Sequence, residues 1–145
     1  FSAPATGSAP FRLKEALQRG QSVVVYFYPK DNTGGCTKEG IAFGELHGQF
    51  AAAGCLVIGV SPDSLASHER FKAKYHFPFE LLSDADQALC RLFDVWQEKT
   101  LYGRKYMGVE RSTFLLDAKG VLRREWRKVK VAGHAEEVLA AVRQA

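Results

Sequence analysis

Cys36 is the residue best placed to do chemistry, because it lies in the run Pro29-Lys30-Asp31-Asn32-Thr33-Gly34-Gly35-Cys36-Thr37-Lys38-Glu39, between a predicted strand and a predicted helix. The thiolate is the nucleophilic form of cysteine, and an ordinary thiol is mostly protonated near neutral pH. A helix N-terminus offers the sulfur unpaired backbone N–H groups and the positive end of the helix dipole, both of which favour the anion. Thr33, three residues earlier, can bring its hydroxyl to the sulfur. Pro29 has no N–H and its ring can wall a pocket against water, while Gly34 and Gly35 let the backbone approach a small substrate closely. The run predicts an activated cysteine nucleophile.

The remaining candidates for redox or metal chemistry are sparse. Cys36, Cys55 and Cys90 are too few and too unevenly spaced for a disulfide scaffold, and no C-x-x-C pair occurs, which fits a reducing compartment. His47, His68, His76 and His134 have neither the close pairing nor the neighbouring cysteines of a zinc site, and read as surface or packing residues.

The elements that hold Cys36 follow from hydrophobic patterning. A small-residue lead-in, Ser2 to Pro10, precedes a short helical turn over Phe11–Gln18 that stops at Gly20. Ser22–Tyr28 is a continuous β-branched and aromatic run without alternation, the pattern of a central strand buried on both faces. Pro29–Gly35 is a loop, and Cys36–Ala53 a helix with Phe43, Leu46 and Phe50 on one side, ended by Gly54. Strand, helix, strand and helix follow as Cys55–Val60, Leu65–Tyr75, Phe79–Leu82 and Asp84–Phe93, with Ser61-Pro62-Asp63-Ser64 as the capping segment of the first of these helices. Ser112–Leu116 and Val121–Trp126 flank the turn Asp117-Ala118-Lys119-Gly120, and an amphipathic helix over Gly133–Arg143 closes the chain.

Alternating strands and helices predict an α/β fold. A β-hairpin and terminal helix appended to βαβ units describe a thioredoxin-like layout, a central mixed sheet flanked by helices, although periodicity alone does not separate it from other three-layer folds. At 145 residues, 46% hydrophobic and 25% charged, residues 1–145 are expected to form a single domain. The net charge of +4 is mild, and the basic residues are scattered apart from Arg123–Lys130, whose alternation reads as a solvated strand with charges that discourage edge pairing. Nucleic acid is not an expected partner. No apolar run has the length of a membrane span and no cleavable leader is visible, so a soluble cytoplasmic protein is expected.

The spacing Pro29-x-x-x-Thr33-x-x-Cys36 after an aromatic strand resembles the signature of the peroxiredoxins. Tyr26-Phe27-Tyr28-Pro29-Lys30-Asp31 through Gly35-Cys36-Thr37-Lys38-Glu39 is similar in particular to their bacterioferritin-comigratory, or Q-type, branch. The resemblance continues through Gly59–Asp63, Phe71-Lys72, Leu81–Asp84, Phe93–Trp96 and Arg111–Asp117, nearly the whole chain in order. It implies a thioredoxin-fold thiol peroxidase in which Cys36 attacks a hydroperoxide, Thr33 orients it and Pro29 shields the intermediate. Arg111 matches the family's active-site arginine, which would stabilise the thiolate and the charge developing on the leaving oxygen. Glu39 matches an acid that holds the arginine and loop in place; its alternative reading is a favourable charge near a helix N-terminus. Neither metal, flavin nor haem is implied, and a monomer is expected.

Two departures bear on the second half of the reaction. Thr33-Gly34-Gly35-Cys36 has the spacing of a C-x-x-C pair without its first cysteine, which argues against a disulfide-exchange enzyme. Many Q-type members carry a resolving cysteine five residues after the first, where this chain has Ile41, and others carry one in the helix over Leu65–Tyr75, which here has none. Cys55 and Cys90 remain as possible resolving residues, with simple packing the favoured reading of each. The expected mechanism is therefore one-cysteine, with thioredoxin, a glutaredoxin system or a small thiol as reductant. A peroxide sensor and a non-catalytic thioredoxin-like binding module are the competing readings, and the Thr33, Cys36 and Arg111 set counts against the second.

Overall fold

A computed structural model describes residues 1–145. In chain order the elements are β1 (Ser2–Ala3), β2 (Phe11–Arg12), α1 (Leu13–Gln18), β3 (Ser22–Phe27), α2 (Gly34–Glu45), α3 (His47–Ala52), β4 (Cys55–Ser61) and α4 (Leu65–Tyr75). They continue with β5 (Glu80–Ser83), α5 (Ala88–Leu92), β6 (Trp96–Leu101), β7 (Arg104–Val109), β8 (Ser112–Leu116), β9 (Leu122–Trp126) and α6 (His134–Gln144).

Five strands form one mixed sheet in the order β5-β4-β3-β8-β9, with β4 parallel to both β3 and β5, and β8 antiparallel to both β3 and β9. This is the mixed sheet of a thioredoxin-like fold, with β3 at its centre. The unbroken apolar run of β3 is explained by burial on both sides. Val24, Tyr26 and Tyr28 enter a cluster with Phe43, Phe50, Phe71 and Val138, contributed by α2, α3, α4 and α6. Val23, Val25 and Phe27 enter a second cluster with Ala16, Leu89 and Phe114 on the opposite face. The β9 edge is charged and exposed along most of its length, as its alternating sequence predicts.

Several elements differ from the sequence expectation: Ser2–Ala3 of the lead-in pairs with Phe11–Arg12, so the helical turn expected over Phe11–Gln18 begins at Leu13. The helix expected over Cys36–Ala53 is two helices, broken at Leu46 (ψ 1°), and the break lies between Gly44 and Gly48, where intrinsic helix propensity is lowest. The helix expected over Asp84–Phe93 shrinks to Ala88–Leu92 because the Asp84 carboxylate accepts from the backbone N–H groups of Leu89 and Cys90 at 3.0 and 2.8 Å, acting as a cap. Residues 96–109, given no element from sequence, form the hairpin β6–β7, which turns at Tyr102 and Gly103, both with positive φ (51° and 76°). Such a turn suits a two-residue hairpin loop.

Candidate active site

The strand β3 ends at Phe27, and the chain then runs through Tyr28 and half-buried Pro29 into a loop that becomes α2 at Gly34. Cys36 is the third residue of α2, inside the first turn, where backbone N–H groups lack helical acceptors. Its side chain is only 1% exposed. Arg111 reaches it because β8 pairs antiparallel with β3: Ser112 lies opposite Phe27, so the preceding residue stands at the end of β3 beside the loop. Seventy-five residues of sequence separation vanish in one strand register.

Arg111 Nη2 donates to Cys36 Sγ at 3.3 Å, while Nη1 donates to Glu39 Oε1 at 2.7 Å. Glu39, three residues after Cys36 on the same helix, is buried at 1% exposure, and its other oxygen, Oε2, has no partner. Burial pushes the Glu39 carboxyl up to about 7, and the Arg111 charge and hydrogen bond offset part of that rise. A planar, permanently charged guanidinium with two forks is the group that can serve both neighbours at once. Gly35 makes room for it: a methyl group at that position would lie 3.2 Å from Arg111 Nη2.

Thr33 is the N-cap residue of α2, with extended backbone (φ −92°, ψ 158°), and its carbonyl accepts from Thr37 N–H at 2.9 Å. The sequence suggests a hydroxyl directed at the sulfur; in the structure it donates to the Lys30 carbonyl at 2.9 Å, closing the loop on itself. Beneath the site, Tyr26 stacks on Phe43 with ring centroids 4.7 Å apart. Burial, reinforced by the negative charges of Glu39 and Cys36, holds its phenol well above the usual range and therefore neutral. Lys99 of β6 adds a cation near Arg111: burial, then the Arg111 charge, lower its pKa, and the Cys36 charge opposes them. Lys99 belongs to the hairpin that sequence patterning did not find.

The two other cysteines stand apart from this site. Cys55 opens β4 opposite Ser22, five residues before Phe27, so along the strand it lies roughly 17 Å from the end of β3 that carries the loop. Burial pushes its thiol up to about 11. Cys90 is fully buried in the cluster on the far face of the sheet from Cys36. Burial also raises its thiol, reinforced by the hydrogen bond and charge of Asp84. A disulfide needs Cα atoms within about 7 Å, and in this structure Cys55 stands at the far end of the strand and Cys90 on the other face of the sheet from Cys36.

The sequence reading missed a second group of polar residues against the loop. Asp31, Tyr28, Ser61, Asp63, Ser67 and His68 form a hydrogen-bonded cluster on the side facing α4. The signal for it was the capping segment Ser61–Ser64 followed by a histidine on the buried face of a helix, and neither feature announces chemistry.

With this geometry in hand, the chain's likeness to known proteins is specific. Residues 1–125 match the AhpC/TSA family. The peroxiredoxin Bcp of Xanthomonas campestris is 50% identical over 143 residues, covering 99% of this chain and 89% of that protein. The peroxiredoxin Bcp of Bacillus subtilis is 50% identical over 125 residues, covering 86% and 80% respectively. A solved structure of the Xanthomonas campestris bacterioferritin comigratory protein, studied for alkyl peroxide reduction, superimposes with a TM-score of 0.93 at 49% identity and covers 99% of this chain and 90% of that one.

Proposed function

The chain belongs to the AhpC/TSA family, in its peroxiredoxin Bcp or Q-type branch of thiol peroxidases, and from that premise we propose that Cys36 is its peroxidatic nucleophile, working without a second cysteine. The Cys36 thiolate attacks the terminal oxygen of a hydroperoxide. An S–O bond forms as the O–O bond breaks, leaving Cys36 sulfenic acid and an alkoxide or hydroxide that takes a proton from water to give alcohol or water. Arg111 carries the role of holding the thiolate and then the charge on the departing oxygen. The Thr33 hydroxyl hydrogen is engaged by the Lys30 carbonyl, so its free lone pairs accept from the peroxide O–H and align it. Pro29 screens the sulfur from bulk water, and Glu39 fixes the guanidinium.

The single observation that carries this reading is the Arg111 Nη2 contact with Cys36 Sγ at 3.3 Å, made by a guanidinium also anchored to a buried carboxylate. The sulfenic acid then accepts an external thiol, which releases water and forms a mixed disulfide; a second thiol displaces Cys36 and leaves as the oxidised reductant. The distance of Cys55 and Cys90 from the site supports this route. Thioredoxin, glutaredoxin and small thiols are the reductant classes, and hydrogen peroxide and organic hydroperoxides the substrates, the latter in line with the alkyl peroxide studies of the Xanthomonas relative. No helix is long and apolar enough to cross a membrane; a cytoplasmic location fits three free thiols, and a single-domain monomer serving antioxidant defence rests on the family resemblance.

Peroxide consumption in the presence of a thiol reductant tests the assignment. Turnover is expected to be lost in Cys36→Ser and to survive in Cys55→Ser and Cys90→Ser; undiminished turnover without Cys36 would refute it.

A further inference from the structure

His68 on α4 is fully buried, and both of its ring nitrogens face acceptors. Nδ1 lies 2.7 Å from Oδ2 of Asp31, and Nε2 lies 2.8 Å from the carbonyl oxygen of Leu82. Asp31 titrates below the usual carboxylate range, because its hydrogen bond to His68 and the His68 charge outweigh the upward push of burial. A carboxylate and a carbonyl can only accept, so both ring nitrogens are set to donate, one to each neighbour. The Asp31 carboxylate also accepts from the Tyr28 hydroxyl at 2.7 Å and the Ser67 hydroxyl at 2.8 Å. Its backbone N–H donates to Asp63 at 2.8 Å, and Asp63 accepts from Ser61 at 2.6 Å. Ligand atoms of Asp31, Asp63 and His68 lie within 4.8 Å of one another. Both ring nitrogens of His68 are turned to protein acceptors, however, and both carboxylates are already engaged by N–H and O–H donors. The cluster is a clamp rather than a metal site.

The clamp grips the segment that delivers Cys36. Asp31 stands two residues before the N-cap Thr33, whose hydroxyl closes on the Lys30 carbonyl. Between them Asn32 adopts φ 60°, and its side-chain oxygen accepts from Tyr75 at 3.1 Å and Lys74 at 3.3 Å, both on α4. The turn from β3 into α2 is thus tied to α4 through both of its central residues.

We propose that His68 is a positioning residue for Cys36, acting through Asp31 to hold the β3–α2 loop where Thr33 and the first turn of α2 meet the peroxide. His68 touches neither the sulfur nor Arg111. Replacing it by a side chain that cannot reproduce the 2.7 Å contact leaves the buried Asp31 carboxylate short of a partner, so the loop moves toward water to solvate it. The inference rests on Cys36 being the peroxidatic residue, and its test keeps the two claims apart.

The test compares two reactions of Cys36 in the full-length chain carrying His68→Gln: oxidation by hydrogen peroxide and alkylation by iodoacetamide. Peroxide reaction depends on the aligned pocket, and a displacement near 1 Å is expected to slow it by about tenfold to a hundredfold. Alkylation needs no aligned pocket, only exposure of a sulfur that is 1% exposed in the folded chain, so it is expected to stay level or to rise as the loop moves toward water. A wild-type oxidation rate in folded His68→Gln would overturn the inference, as would equal loss of both reactions with Cys55 and Cys90 becoming labelled, the signature of a purely structural role. Tyr28→Phe removes one donor from Asp31 without stranding a charge, and gives the same comparison if His68→Gln does not fold. The ring ¹⁵N shifts of His68 supply an independent check: both nitrogens are expected to be protonated at neutral pH, and an unprotonated one would contradict the clamp. Retained turnover in Cys36→Ser would remove the premise, whereas fully active His68→Gln would remove only this inference.

Discussion

Arg111 Nη2 lies 3.3 Å from Cys36 Sγ and donates to it. The same guanidinium is held through Nη1 by Glu39, one turn further along the helix that bears Cys36. Sulfur, cation and anchor therefore sit on two elements, α2 and the segment entering β8, locked together by the register of β3 against β8. That arrangement sets what each substitution does.

Arg111→Lys keeps the charge and loses the fork. A lysine ammonium is a point charge that cannot donate in two fixed directions, so it serves either Glu39 or Cys36. The second-order rate of Cys36 oxidation by hydrogen peroxide, followed by stopped flow, is expected to fall by about 10²-fold, the scale of losing one donor to a developing oxyanion.

Gly35→Ala separates activity from stability. The added methyl meets Arg111 Nη2 at 3.2 Å, and the guanidinium, being the end of a flexible side chain, moves away from Cys36. The helix itself gains, since alanine is favoured over glycine in a helix by up to about 1 kcal/mol. Oxidation slows while the urea midpoint stays constant or rises; a parallel fall in both would count against this account of Gly35.

Glu39 links stability to pH. Its folded-state pKa of about 7 lies above the unfolded value near 4.5, so between those limits the folded chain holds a proton that the unfolded chain has lost. Stability from this group is fully present below about 4.5 and declines as pH rises through about 7. Glu39→Gln has no such proton to lose. Urea titrations from pH 4.5 to 7.5 are expected to show the variant gaining stability relative to the wild type as pH increases, with no further gain above the window.

Much of this was legible in the sequence, and for a physical reason. The β3 run and the loop before Cys36 are strong local signals, since a strand buried on both faces needs continuous apolar residues and a thiol at a helix start needs a turn before it. The pairing of Arg111 with Cys36 was carried only by family resemblance, because it depends on a strand register that spacing does not encode. The hairpin β6–β7 escaped because most of its side chains face water, which removes the alternation that reveals strands; Tyr102-Gly103 was its one usable mark. The cluster around His68 escaped for the opposite reason. It is buried, but its members come from the β3–α2 loop, the end of β4, the loop after it and α4, and polar residues scattered over such segments look like ordinary caps and turns.

The central claim is that Cys36 is oxidised and then waits for an external thiol. Intact mass after one equivalent of hydrogen peroxide, without reductant, tests it directly. A gain of about one oxygen per chain, abolished in Cys36→Ser, is the expected result. A loss of two hydrogens in the monomer would mean an internal disulfide has formed, and would contradict the one-cysteine account that Ile41 and the remote positions of Cys55 and Cys90 support.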